Sequence, residues 1–127
     1  MQLNQVTIGT GQLPILLQFY QKLGFRLIVD SLPSYVRLQC PGGDATLSLE
    51  HETGVRPGGI TLYFECPALD ELVGQLQQAH IAFDHGPVDQ PWLWREARLR
   101  DPDGNRLCLY HAGDNRINPP WRIKESS

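Results

Sequence analysis

Apolar and polar residues recur along this chain with two different periods, and the switches between them divide it into elements. Leu3–Gly9 alternates and carries β-branched residues, the signature of a half-buried strand. In Leu13–Leu23 the apolar positions Leu16, Phe19, Tyr20 and Leu23 fall at i, i+3, i+4 and i+7, one face of a helix. Pro14 suits its first turn, and Gly24 supplies a left-handed stop. Three strands are then predicted, over Phe25–Ser31, Tyr35–Cys40 and Ala45–Glu52. Leu32-Pro33-Ser34 and Pro41-Gly42-Gly43-Asp44 separate them as turns, and Thr53–Gly59 reads as a linker.

The same order returns after the linker. Ile60–Glu65 is a strand, and Ala68–Ala79 a helix with Leu69, Leu72, Val73 and Leu76 on one face. Asp70 and Glu71 occupy the first turn of that helix, where its dipole favours negative charge. Ile81–Phe83, Leu93–Arg100 and Arg106–His111 are the later strands, with Gly86–Arg95 containing a Pro-rich loop. The last two strands are joined by Asp101-Pro102-Asp103-Gly104-Asn105, where Pro sets φ and Gly accepts a positive one. A shift of 56 residues lays Leu13, Leu16, Tyr20 and Phe25 over Leu69, Leu72, Leu76 and Ile81. A shift of 60 lays Leu47–His51 over Leu107–His111. Identities are few, but element order and helix phase agree, so the chain reads as an internal duplication.

Composition narrows the class. The 127 residues, 41% hydrophobic and 20% charged, suit one globular domain rather than a disordered chain. The uncharged start, Met1–Gln21, is interrupted by Gln, Asn, Thr, Gly and Pro and falls short of the ~20 apolar residues of a membrane span. No basic and apolar leader precedes the first strand. A net charge of −3, with no Lys or Arg between residues 57 and 93, argues against nucleic acid as partner. The Arg95/Arg98/Arg100 run is interleaved with Glu96 and Asp101, a mixed-charge strand rather than a phosphate stripe. Cys40, Cys66 and Cys108 are odd in number and form no Cys-x-x-Cys, which predicts reduced thiols and a cytoplasmic location.

The strings Phe19-Tyr20-x-x-Leu23-Gly24-Phe25 and Asp101-Pro102-Asp103-Gly104-Asn105, at these places in a βαβββ duplication, resemble the vicinal oxygen chelate superfamily. That is the glyoxalase, bleomycin-resistance and extradiol dioxygenase group, and the resemblance spans about residues 2–112. It implies an α+β fold in which two βαβββ modules curl a curved eight-stranded sheet into a cup, helices outside, usually as a homodimer. Residues 1–127 then form a single domain with modules at about 2–55 and 58–112 and a C-terminal arm over 113–127, which carries Ile117 and Trp121. The arm is expected to pack on its own body or on a partner subunit.

Strand alternation assigns the cup-facing residues. If Val6, Ile8, Leu47, Leu49, Leu62, Phe64, Leu107 and Leu109 pack on helices, then Gln5, Thr7, Thr46, Ser48, Glu50, Thr61, Tyr63, Glu65, Arg106, Cys108 and Tyr110 face the cup. Ala97 and Leu99 likewise turn Glu96, Arg98 and Arg100 inward. The resemblance implies metal ligands, usually His, Gln or Glu, on the first and last strand of each module; those positions hold Gln5, Ser48, Thr61 and Cys108. Only Gln5 is of that type, and hydroxyls with a lone thiol are a poor set for Fe, Ni, Mn or Zn.

The sequence therefore favours a metal-independent small-molecule binder. The candidate ligand-binding residues are Gln5, Ser48, Glu50, Thr61, Tyr63, Trp92, Trp94, Arg98, Cys108 and Tyr110, with Trp92 and Trp94 either an aromatic wall or the cover of a sheet edge or a dimer contact. One alternative is a metal-dependent lyase, isomerase or dioxygenase with its divalent metal on a shifted set, Gln5, Glu50 and Glu65. Against it, Glu50 and Glu65 are expected to pair with Arg37, Arg98 or Arg106. A third reading is a dimeric module with no retained ligand. Cys108 reads as an inert packed thiol, since His51 and His111 fall on the opposite face; His80 and His85 flank an exposed loop.

Overall fold

A computed structural model describes residues 1–56 and 58–124; Pro57 of the predicted linker and residues 125–127 of the predicted arm lie outside the described residues. The chain forms two compact units, Met1–Gly59 with Asp101–Asn105, and Ile60–Arg100 with Arg106–Ser127. Each carries one helix on one four-stranded sheet, an α+β βαβββ module.

In the first unit β1 (Gln5–Thr10) leads into α1 (Leu13–Lys22), followed by β2 (Arg26–Ser31), β3 (Tyr35–Gln39) and β4 (Thr46–His51). The sheet order is β1-β4-β3-β2, with β1 parallel to β4 and the other pairs antiparallel. The period-two pattern accounts for the burial. Ile8, Val36, Leu38, Leu47 and Leu49 of the sheet and Leu13, Leu16, Leu17 and Tyr20 of the helix are all buried. Each such aliphatic side chain contributes about 1.5–3 kcal/mol through burial. Tyr20, fully buried, stacks edge-on with Phe19 and Phe25.

The second unit repeats the plan with β5 (Thr61–Glu65), α2 (Leu69–Gln78), β6 (His85–Asp89), β7 (Arg95–Arg100) and β8 (Arg106–His111), ordered β5-β8-β7-β6. Leu69, Val73 and Leu76 of the helix and Ala97, Leu99, Leu107 and Leu109 of the sheet are buried. A smaller cluster of Cys108, Tyr110 and Ala112, with Trp94 against it, is also buried.

One strand is displaced from its predicted place. Ile81–Phe83 pairs with no strand: Ile81 closes the end of α2, its amide donating to the Leu76 carbonyl, and buries its side chain there. The strand is instead β6, which starts at His85 and runs into the predicted Pro-rich loop. β6 is an edge strand, and the register shifts between His85 and Val88, where Pro87 is spared a ladder hydrogen bond. His85 is accordingly half-buried in a strand rather than exposed in a loop. The arm begins with a short 3-10 helix, Gly113–Arg116, and its Ile117 and Trp121 are exposed.

Candidate functional site

The helix-free face of each sheet collects the polar residues that alternation assigned to it. In the first unit the register sets Gln5 beside Thr46, Ser48 beside Thr7 and Arg37, and Glu50 beside Tyr35. Thr46 Oγ1 donates to Gln5 Oε1 at 3.0 Å. Ser48 is fully buried and shares a 2.6 Å hydrogen bond with the Tyr35 hydroxyl, which also accepts from Arg37 Nε at 3.1 Å. The Arg37 guanidinium lies 5.7 Å from the Tyr35 ring centre. The Ser48 hydrogen bond, followed by Arg37, holds the Tyr35 phenol below its ordinary value, against partial desolvation and Glu50.

In the second unit Tyr63, Cys108 and Arg98 stand in register, as do Glu65, Tyr110 and Glu96. Trp94 stacks on Tyr110 with ring centres 4.3 Å apart and planes at 15°, and Tyr63 meets both edge-on. Arg98 sits 5.7 Å from the Tyr63 ring centre and donates to Glu96 Oε1 from Nε and Nη2 at 3.4 and 3.3 Å. Glu96 is buried, and its other oxygen accepts from Cys108 Sγ at 3.5 Å. Burial, reinforced by the Glu96 carboxylate, pushes the Cys108 thiol up to about 12, so it is a neutral donor and no nucleophile at ordinary pH.

Alternation thus puts all the candidate strand residues on these faces, at different depths. Gln5, Glu50 and Tyr63 are exposed, Thr61 and Arg98 half-buried, and Ser48, Cys108 and Tyr110 buried. The tryptophans separate. Trp94 belongs to the aromatic cluster, whereas Trp92 is exposed in the turn closed by Leu93 N–H to Gln90 O. The expected carboxylate–arginine pairs are partly replaced. Glu65 accepts from His111 Nδ1 at 2.7 Å and from the amides of Ala112 and Gly113, because the end of β8 turns those groups toward it. Arg106 donates to Thr61 Oγ1 at 3.0 Å, and Arg98 takes Glu96. Tyr35, Arg37 and Glu96 were not among the candidates. The alternation that marked Ser48 extends to β3, where buried Val36 and Leu38 leave Tyr35 and Arg37 on the opposite face.

As metal donors the four positions are committed elsewhere. Gln5 Oε1 is taken by Thr46, Ser48 by Tyr35 and Thr61 by Arg106, and Cys108 Sγ donates to Glu96. A set of one amide, two uncharged hydroxyls and a lone thiol does not fit a divalent ion. Among the described residues no group of three or more His, Cys, Asp or Glu could hold a metal. Likewise no described helix is long and apolar enough to cross a membrane.

Comparison with known proteins adds the following. The family described as Glyoxalase/Bleomycin resistance protein/Dioxygenase superfamily matches residues 2–109. No curated protein matches the sequence. Among solved structures, a member of that superfamily from Sphaerobacter thermophilus is 28% identical, TM-score 0.69, covering 87% of this chain and 97% of its own. A bleomycin-binding protein complexed with bleomycin is 24% identical, TM-score 0.72, with 87% and 98% covered. A lactoylglutathione lyase from Agrobacterium tumefaciens is 17% identical, TM-score 0.70, with 96% and 97% covered. The last two likenesses are of fold alone.

Proposed function

Since the chain belongs to the Glyoxalase/Bleomycin resistance protein/Dioxygenase superfamily, we propose that it binds a small molecule with a planar unsaturated group on the helix-free sheet face of the second unit, without a metal. The observation that carries this reading is the Trp94–Tyr110 stack with Tyr63 across its edge. It is an aromatic surface on a strand face, and Tyr63 remains 53% exposed. An aromatic stack adds about 0.5–1.5 kcal/mol beyond area burial, enough to orient a planar ligand. Arg98, beside Tyr63 and held by the buried Glu96, supplies a fixed donor. Bleomycin binding by a structural neighbour is a precedent for ligand capture on this fold.

We assign the protein to a homodimer in a reducing, cytoplasmic compartment, in line with its free thiols. Sedimentation at micromolar concentration should give twice the 14.3 kDa chain mass.

The experiment is a thermal-shift screen of planar aromatic compounds, with hits titrated by tryptophan fluorescence. A stabilising ligand should quench the wild type and lose affinity in Trp94→Ala but not in Trp92→Ala. Equal affinity in Trp94→Ala would remove the aromatic cluster from the site. Elemental analysis of protein purified without chelators tests the metal-free part. Stoichiometric Fe, Ni, Mn or Zn, lost in Gln5→Ala or Glu50→Ala, would overturn it.

A further inference from the structure

The duplication extends to a polar triad that neither half reveals alone. Arg37 stands opposite Ser48, and Arg98 opposite Cys108, so the two arginines occupy the same place in the two ladders. Each arginine donates from Nε to the residue two positions before it, Arg37 to Tyr35 and Arg98 to Glu96. In each unit the opposed small side chain, Ser48 or Cys108, bonds to that same residue. The sequences differ by an exchange: Tyr35 faces Glu50 in the first unit, and Glu96 faces Tyr110 in the second.

The exchange decides the charge. Glu96 neutralises Arg98, but a phenol oxygen leaves Arg37 with its full charge. The β7 arginines all have carboxylates: Arg95 has Asp70 and Asp89, Arg98 has Glu96, and Arg100 has Asp84. Arg37 is half-buried and, among the described residues, has no carboxylate within ion-pair distance. Its Nε is spent on Tyr35 and its Cζ sits 5.7 Å from that ring's centre, so the guanidinium is tethered while both Nη groups remain to donate. A pre-positioned fork of this kind fits a carboxylate or phosphoryl group bidentately and loses little rotamer entropy on binding.

We propose that Arg37, held by Tyr35 and Ser48, is an oxyanion site for the carboxylate or phosphoryl group of a small-molecule ligand. The proposal rests on the reading that a helix-free face of this fold receives a small molecule, and it gives the face of the first unit a negatively charged ligand group. Other charges on this face are Arg26, in register with Gln39, Glu50, beside Tyr35, and Glu52, whose carboxylate lies over Gly9. Glu50 opposes an incoming anion, so removing its charge should tighten binding.

Benzoate and inorganic phosphate, titrated separately into the full chain, distinguish the two anion types. Arginine Nε–H NMR signals locate the contact and calorimetry gives the affinity. One of the probes should shift the Arg37 signal saturably. Arg37→Gln should then weaken that probe about tenfold, the loss of one bidentate charged contact. Glu50→Gln should tighten it several-fold, and the control Lys22→Gln, which removes an exposed cation from the last turn of α1, should leave it unchanged. If Arg37→Gln does not fold, Arg37→Lys serves, since it keeps the charge and loses the fork; it too should bind more weakly. An Arg37 signal indifferent to both anions, or wild-type affinity in the folded Arg37 variant, overturns the proposal. Trp94 quenching by a planar ligand would survive that result, so the two readings fail separately.

Discussion

At the position of Cys108, one residue type carries two contrary expectations. A cysteine at a ligand position of a metal-binding fold invites reactivity, yet its surroundings suppress it. The side chain is fully buried and donates to an adjacent carboxylate, and the thiolate form loses on both counts. Native protein at pH 8 should therefore leave Cys108 unmodified by iodoacetamide, read by peptide mass mapping, while denatured protein is alkylated there. Rapid native alkylation would contradict the assigned environment. The raised value also fixes a sign. A thiol held protonated in the fold contributes stability fully below its ordinary value of 9.0, and that contribution declines as pH rises toward about 12. Between those limits the wild type should lose stability with pH more steeply than Cys108→Ala. Parallel profiles for the two proteins would show that Cys108 does not titrate there.

Tyr20 is a second residue whose role exceeded its pattern. Periodicity placed it in the core, and it is fully buried, but its hydroxyl donates to Asp101 Oδ2 at 2.7 Å. Asp101 also accepts from the Asp103 and Asn105 amides and from Asn105 Nδ2. The two strings that carry the family resemblance are thus joined by one hydrogen bond. Spacing cannot reveal a contact across 81 residues. Tyr20→Phe keeps the ring and removes the bond to a buried charge, at a cost of about 1.5–3 kcal/mol in denaturant unfolding.

Among elements, the helices were legible because both their faces and their ends carry signals. Gly24, at φ 101°, stops α1, and the Phe25 amide returns to the Tyr20 carbonyl. The second helix ends the same way without glycine. His80 adopts φ 67°, and the Ile81 amide returns to the Leu76 carbonyl. The shift of 56 residues that aligned the helices also aligns Gly24 with His80, so the stop was encoded by position rather than by residue type. His80→Gly should raise stability by about 0.5–1 kcal/mol, since the left-handed conformation then costs no side-chain clash. Gly24→Ala should lower it by about 1–2 kcal/mol. A Cβ there meets Pro41 only at ordinary contact distance, so the cost is conformational. Thermal unfolding of the pair tests this, and a destabilised His80→Gly would show that the imidazole matters more than the backbone. β6 was less legible because its Gly86-Pro87 pair has loop composition, and only the ladder with β7 makes it a strand.

At the scale of the whole molecule, the duplication and the polar faces follow from period-two alternation. The side-chain commitments on those faces do not. Whether Ser48 could serve a metal depends on Tyr35, and whether Arg98 is neutral depends on Glu96, and both are cross-strand facts that require the register. The division into units is also absent from the linear order: Asp101–Asn105 belongs to the first unit although β7 and β8, which it joins, belong to the second. The chain therefore passes between the units at 59–60, at 100–101 and again at 105–106. Loosening that turn in one unit removes the anchor of two central strand ends in the other, which predicts cooperative unfolding. The tryptophans make this measurable, because Trp92, Trp94 and Trp121 all lie in the second unit, whereas Tyr20 lies in the first. In Tyr20→Phe the urea midpoint read by tryptophan fluorescence should fall together with the midpoint read by far-ultraviolet circular dichroism. A fluorescence midpoint that stays at the wild-type value while the dichroism transition moves would mean that the units unfold independently.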